Sequence, residues 1–217
     1  LLIIINEVKM FQKIHITIGS GKLGKSDTCD SAINSINVNT LTNEYCIKQS
    51  KNKNSICSFC YSINSLTSFR KNMVNPLERN SNLLSNSIIQ FSLLPTILEL
   101  YFRFDSHGEL INLNHLQNYT NIALKNPHCN FALWSKRFDL IKKFFDNNQK
   151  PKNLILIYSN SKLDKPLNKL PKYFDKSFNN VTKENKDNFN INCHSKCVDC
   201  LLCYTHNETK TIIEKVK

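Results

Sequence analysis

Sulfur dominates the reactive side chains of this sequence. The stretch CHSKCVDCLLCY sets Cys193, Cys197, Cys200 and Cys203 within eleven positions, four of the chain's nine cysteines. Soft thiolates select zinc or iron-sulfur clusters, and spacing helps to separate the two. A structural zinc site usually draws two CxxC pairs from either side of a longer loop, each forming one knuckle of a tetrahedron. Here the gaps are three, two and two residues. That is the reverse of the ferredoxin run C-x2-C-x2-C-x3-C, in which closely set thiolates reach several irons of a cubane. The spacing favours an iron-sulfur cluster, with zinc second and free or disulfide-bonded thiols last. A second group lies toward the amino terminus: Cys29, Cys46, and the pair Cys57 and Cys60 of CSFCY. A CxxC alone fits a redox pair, half a zinc site or part of a cluster. Cys129, in PHCNFALW, reads as a packed apolar thiol. Asp199 and Leu201 read as spacers, and His194 as a surface residue.

Apolar runs between turn residues must supply the frame. IHITI (14–18), LELYFRF (98–104), NFALW (130–134) and LILIY (154–158) read as strands, with a further one near Tyr173 to Val181. Leu113 to Lys125 carries apolar residues at 113, 116, 119, 122 and 123, one face of a helix, and Phe138 to Phe145 reads as the next helix. Leu83, Leu84, Ile88 and Ile89 give helical spacing within 62–92, with Pro76 and Pro95 as breaks. Strand and helix in alternation imply βαβ units, a parallel sheet of about five or six strands, and chemistry at the carboxyl ends of the strands. Residues 179–192 are polar and read as a linker into the cysteine tail. Arg103 and Asp105 alternate along one strand and are expected to share a face as paired charges.

The chain has 217 residues, enough for a well-buried core without covalent staples. LLIIINEVKM lacks the cleavage signal of a secretory leader, and no apolar run approaches the roughly 20 residues that span a bilayer. The expectation is a soluble, cytoplasmic protein without a membrane partner, in a compartment where thiols stay reduced. Met10 is a candidate start. The net charge of +12 suits a polyanion partner, and the excess concentrates in Lys136 to Lys176. Nucleic acid is therefore a candidate partner, against the plain reading of a solvated basic face.

GKLGK (21–25), CSFCYS (57–62), YFRFDSHGEL (101–110), NPHCNFALWSKR (126–137) and the cysteine-rich tail together resemble the phage-encoded "gene product eighty-eight" family, whose proteins are similar to the radical S-adenosylmethionine superfamily. The resemblance implies an α/β fold, a partial (β/α) barrel over 10–182 with the Cys-rich extension 183–217 packed on it. It implies a four-iron (4Fe-4S) cluster after the first strand. Cys57 and Cys60 match the last CxxC of that superfamily's CxxxCxxC loop. Cys46 lies too far upstream to fit, so a third ligand requires a looped-out insertion or recruitment of Cys29. Gly108 and Glu109 match the end of a Gly-Gly-Glu motif that engages S-adenosylmethionine, with His107 in place of the first glycine. Cys193, Cys197, Cys200 and Cys203 correspond to an auxiliary cluster. Lys136 and Arg137 are candidates for an anionic substrate. The expectation is a radical or redox enzyme with an unknown substrate and an electron donor as partner. The alternative is a non-enzymatic, zinc-stabilised nucleic-acid-binding protein.

Overall fold

The structure, a computed structural model, describes residues 13–216. Met10 and the opening apolar run lie outside the described residues. Seven strands form one sheet in chain order: β1 (Ile16–Thr17), β2 (Ser35–Ile36), β3 (Tyr101–Phe104), β4 (Asn130–Ser135), β5 (Leu154–Leu163), β6 (Lys176–Val181) and β7 (Thr211–Lys215). β1 is antiparallel to β2, and every later neighbour is parallel. The helices are α1 (Glu44–Ser50), α2 (Tyr61–Thr67), α3 (Val74–Asn86), α4 (Leu113–Lys125), α5 (Phe138–Phe145) and the short α6 (Cys197–Cys200).

Parallel neighbours require a crossover between each pair. α3 lies in the connection from β2 to β3, α4 in the next, and α5 in the one after. The strands are buried on both faces, which is why LILIY reads as an unbroken apolar run. Phe102, Phe104, Phe131, Leu133 and Leu156 meet Leu84 of α3, Leu116, Tyr119 and Ile122 of α4, and Ile141 and Phe144 of α5. Ala132, Trp134, Ile155 and Ile157 point the other way, onto Leu23, Ile33, Cys203, Tyr204 and Ile212. The cysteine tail is thus the cover of the sheet's second face. Because β7 pairs with β6, the segment after 183 also belongs to the sheet itself.

α4 and α5 lie where the apolar spacing puts them. The strand expected at 154–158 runs on to Leu163, past a register shift between Ser159 and Leu163. The linker expected from 179 begins only after Val181, because Asn179 to Val181 belong to β6. Pro76 does not break α3; it occupies the first turn, where no intrahelical donor is needed. Arg103 and Asp105 do not share a face. Asp105 sits at φ +53, which turns its side chain to the helix side, where the Tyr119 hydroxyl donates to its Oδ1 at 2.9 Å. Arg103 stays on the tail side, over the Trp134 ring at 3.9 Å.

Candidate functional site

The carboxyl ends of β2, β3 and β4 make one edge, and polar side chains fasten the loops above it. Asn37 Oδ1 accepts from the Ser106 amide at 2.7 Å and the His107 amide at 3.1 Å. This holds the 105–109 loop against the chain after β2. Gly108 lies at φ +93, and a Cβ there would meet the Val38 carbonyl oxygen at 2.7 Å. Only glycine allows that approach. Glu109 is buried and well bonded. Its carboxylate accepts from the Ser135 hydroxyl at 2.6 Å, the Leu110 amide at 2.9 Å and the Lys136 amide at 2.8 Å. A carboxylate has about four acceptor sites, so roughly one stays open.

Helix capping brings the first cysteines to this edge. Asn43 caps α1 by accepting from the Cys46 amide at 3.2 Å, and its Nδ2 donates to the Glu109 carbonyl at 2.8 Å. Ser55 accepts from the Cys57 amide at 3.2 Å and opens the 3-10 turn Ile56–Phe59. That turn packs on α1 and on β5. Cys46 consequently lies within electrostatic reach of Glu109, Cys60, Asp105 and Lys136, and neighbouring Tyr45 within reach of Glu109 and Cys57. Cys46, Cys57 and Cys60 are thereby brought to one strand edge, with residues 47–56 taken up by the rest of α1 and the turn that follows. Cys29 is placed elsewhere. Its loop is tied to the tail, where Ser26 and Thr28 hydroxyls donate to Asp199 at 2.5 and 2.9 Å. Asp199 is therefore an anchor rather than a spacer.

The tail gathers its own four. Cys193, Cys197, Cys200 and Cys203 line a single cavity with Leu201, Tyr204 and Ile212, and all four are free thiols. Leu201, at φ +52, ends α6 and packs on the second face of the sheet. Burial pushes the thiols of Cys46, Cys193, Cys197 and Cys203 above their ordinary range, so without a cation they keep their protons. Among the described residues no group of three or more His, Cys, Asp or Glu stands in an arrangement that could hold a metal ion. Cys129 is fully buried in the helix-side core, and its thiol is pushed up to about 12, first by burial.

Thr40, Ser62 and Arg70, to which the sequence assigns no role, meet around His107 here. Ser62 Oγ lies 2.8 Å from His107 Nδ1 and 2.5 Å from Thr40 Oγ1, and Arg70 lies 3.4 Å from His107 Nε2. Burial, then Arg70 and Arg103, lower His107 to about 4, so the ring is neutral. Asp105 Oδ2 is buried without a partner, and burial raises its carboxyl well above the usual range. The one signal for it in the sequence is a charged residue at a strand end. Lys136 donates to Ser159 at 2.7 Å, while Arg137 pairs with Asp139 at 2.7 Å and lies over Tyr45. Of the basic segment, Lys142 and Lys172 share Asp146 and Lys150 pairs with Asp175.

These features define an α/β protein with a seven-stranded, mostly parallel sheet and cysteines collected at its strand ends and on its second face. A family model described as Gene product 88 matches residues 13–208. The chain belongs to that family. Comparison with curated proteins and with solved structures finds no match. No helix among the described residues is long and apolar enough to cross a membrane.

Proposed function

We propose that this chain is a phage or mobile-element iron-sulfur protein on a partial barrel of the radical S-adenosylmethionine type, acting as a radical or redox enzyme. The observation that carries the reading is the packing of α1, with Cys46, on the turn that bears Cys57 and leads to Cys60, with α1 tied through Asn43 to Glu109 at the carboxyl ends of parallel strands. The unbroken strand order supports the partial barrel, since such a sheet needs only further curvature to become one.

Cys46, Cys57 and Cys60 are the residues that would hold the first cluster, and Cys193, Cys197, Cys200 and Cys203 the second. A single zinc ion with Zn–S bonds of about 2.3 Å needs its four sulfurs roughly 4 Å apart. A cubane places a separate iron under each thiolate, so it holds its four sulfurs further apart than a single ion does. When bound, such clusters supply one-electron transfer. The surrounding residues do the rest: Glu109 offers its remaining acceptor site to an ammonium group, Gly108 lets backbone approach a ligand, and the buried apolar lining excludes water. The alternative of a nucleic-acid-binding protein needs free cations, and Lys142, Lys150 and Lys172 are paired within the chain, while the other lysines of the basic segment form no ion pair among the described residues.

Anaerobic reconstitution with iron and sulfide tests the proposal. The expected product absorbs near 400 nm and holds two clusters per chain, of which Cys46→Ser or Cys57→Ser removes one and Cys200→Ser the other. A reconstituted protein that retains only zinc, or no metal, overturns it.

A further inference from the structure

The chain from Tyr45 to Leu77 carries Lys48, Lys51, Lys53, Arg70 and Lys71 and no aspartate or glutamate. It builds α1, the 3-10 turn Ile56–Phe59 and α2, the layer that bears Cys46, Cys57 and Cys60. The four lysines are exposed, and none of the five cations forms an ion pair among the described residues. Of the two acids that flank the stretch, Glu78 is already held by the Asn39 amide at 2.8 Å and the Thr42 hydroxyl at 2.5 Å. The same layer leaves large rings in solvent: Phe59 is 68% exposed, Tyr61 61% and Phe69 78%. α2 buries Ser62, Ser65 and Leu66, so its packing does not need the rings that it leaves outside. Two of those rings are fixed by their neighbours. The Tyr61 hydroxyl donates to the Ser106 carbonyl, and its ring lies 5.4 Å from that of His107. Arg70 reaches His107 Nε2 at 3.4 Å and donates to Ser20 Oγ at 2.6 Å, with its guanidinium 5.8 Å from the centre of the Phe69 ring. Tyr61, His107, Arg70 and Phe69 thus form one continuous run beside the 105–109 loop.

Exposed rings cost free energy unless something covers them, and neighbouring ones mark an interaction surface. Cations set among rings, with no acid between them, fit a polymer that offers a negative charge and a flat, stackable face at every repeat. A single-stranded nucleic acid has both, since its phosphates pair with lysine and arginine and its unpaired bases stack on aromatic faces. We propose that residues 45–77 are a platform for single-stranded nucleic acid, with bases on Tyr61 and Phe69 and phosphates on Arg70 and the lysines, laid along the strand edge that holds Glu109. A duplex hides the faces of its bases and leaves the rings uncovered. An anionic membrane calls instead for an amphipathic helix with a long apolar stripe, and α1 and α2 have seven residues each. Binding by the platform needs no metal. That the bound strand is the substrate of the site rests on the proposed function, to which it gives a substrate class.

The test follows the fluorescence anisotropy of labelled oligodeoxythymidine and oligouridine of about 12 nucleotides, with a duplex of equal length and phosphatidylserine vesicles alongside, using the full chain before and after iron-sulfide reconstitution. Single strands of either sugar are expected to bind, with log K falling against log salt at a slope of about −3.5, from five phosphate contacts at about 0.7 each. Lys51→Ala with Lys53→Ala is expected to reduce that slope by about 1.4. Lys143→Ala with Lys152→Ala removes the same charge from exposed positions elsewhere and should leave it unchanged. Phe69→Ala is expected to weaken binding about tenfold at an unchanged slope, and Phe69→Trp to restore it. All these side chains are exposed, so the unfolding midpoints should stay at the wild-type value. Single strands that fail to bind, a duplex or vesicles bound as tightly, a control pair that lowers the slope as much, or a Phe69→Ala protein that binds like wild type would each overturn the platform. Binding that persists where reconstitution yields no cluster sinks the iron-sulfur reading alone, and clusters without binding sink the platform alone.

Discussion

At the scale of single residues, the site is held by groups whose neighbours leave them little choice. Gly108 combines a left-handed φ of +93 with a Val38 side-chain carbon 2.4 Å from where a Cβ would stand. Gly108→Ala is therefore expected to cost about 2 kcal/mol or more, read as a lower urea midpoint with an unchanged slope. The sequence names this glycine through its place in SHGEL, but the reason for it lies in the chain after β2, which no local pattern announces. Leu201 and Asp105 show the same limit. Each takes a positive φ without being glycine, so neither is visible in composition.

At the scale of elements, the apolar period found α4 but not what surrounds it. His115, Asn118 and Thr120 are buried along with the apolar face, because α3 and the chain after it wrap the helix on a second side. Asn118 is the joint. Its Nδ2 donates to the Leu84 and Ser87 carbonyls at 2.8 Å each, and its Oδ1 accepts from the Ile89 amide at 2.9 Å. Asn118→Ala strands two buried backbone groups, the Leu84 carbonyl and the Ile89 amide, and is expected to destabilise by about 2 kcal/mol, measured by thermal or urea unfolding. The elements the sequence reading missed share a physical trait. β2 has two residues, α1 and α2 have seven each, and all three are too short or too polar to show a period. β7 was hidden for another reason, since TIIEK alternates little and is held by its pairing with β6.

At the scale of the whole molecule, buried titratable groups set the response to acid. His107 is held at about 4 and His115 at about 3, both chiefly by burial. Below the ordinary imidazole value near 6.5 the unfolded chain binds protons that the folded chain refuses, so stability present above about pH 6.5 is lost as the pH falls toward those values. Asp105 acts in the opposite sense, because its raised carboxyl contributes most at low pH and loses that contribution as the pH rises. His15 is lowered too, chiefly by burial, so with three histidines against one carboxyl, unfolding midpoints should fall between about pH 6.5 and 4.5. His115→Gln should flatten the slope by up to about 1.4 kcal/mol per pH unit, and an unaltered slope would show that His115 is protonated without loss in the folded chain.

The sequence by itself determined the α/β class, the parallel strands, α4 and α5, and the family, because apolar period and cysteine spacing are local properties that survive in one dimension. Only the tertiary structure decided that α1, with Cys46, packs on the turn of Cys57 while the loop of Cys29 is tied to the tail, and that the tail covers the sheet's second face. It also decided that Arg103 and Asp105 part company. Those outcomes depend on which capped helix packs on which turn, and on single backbone dihedrals, and such contacts are made between residues that the chain keeps far apart.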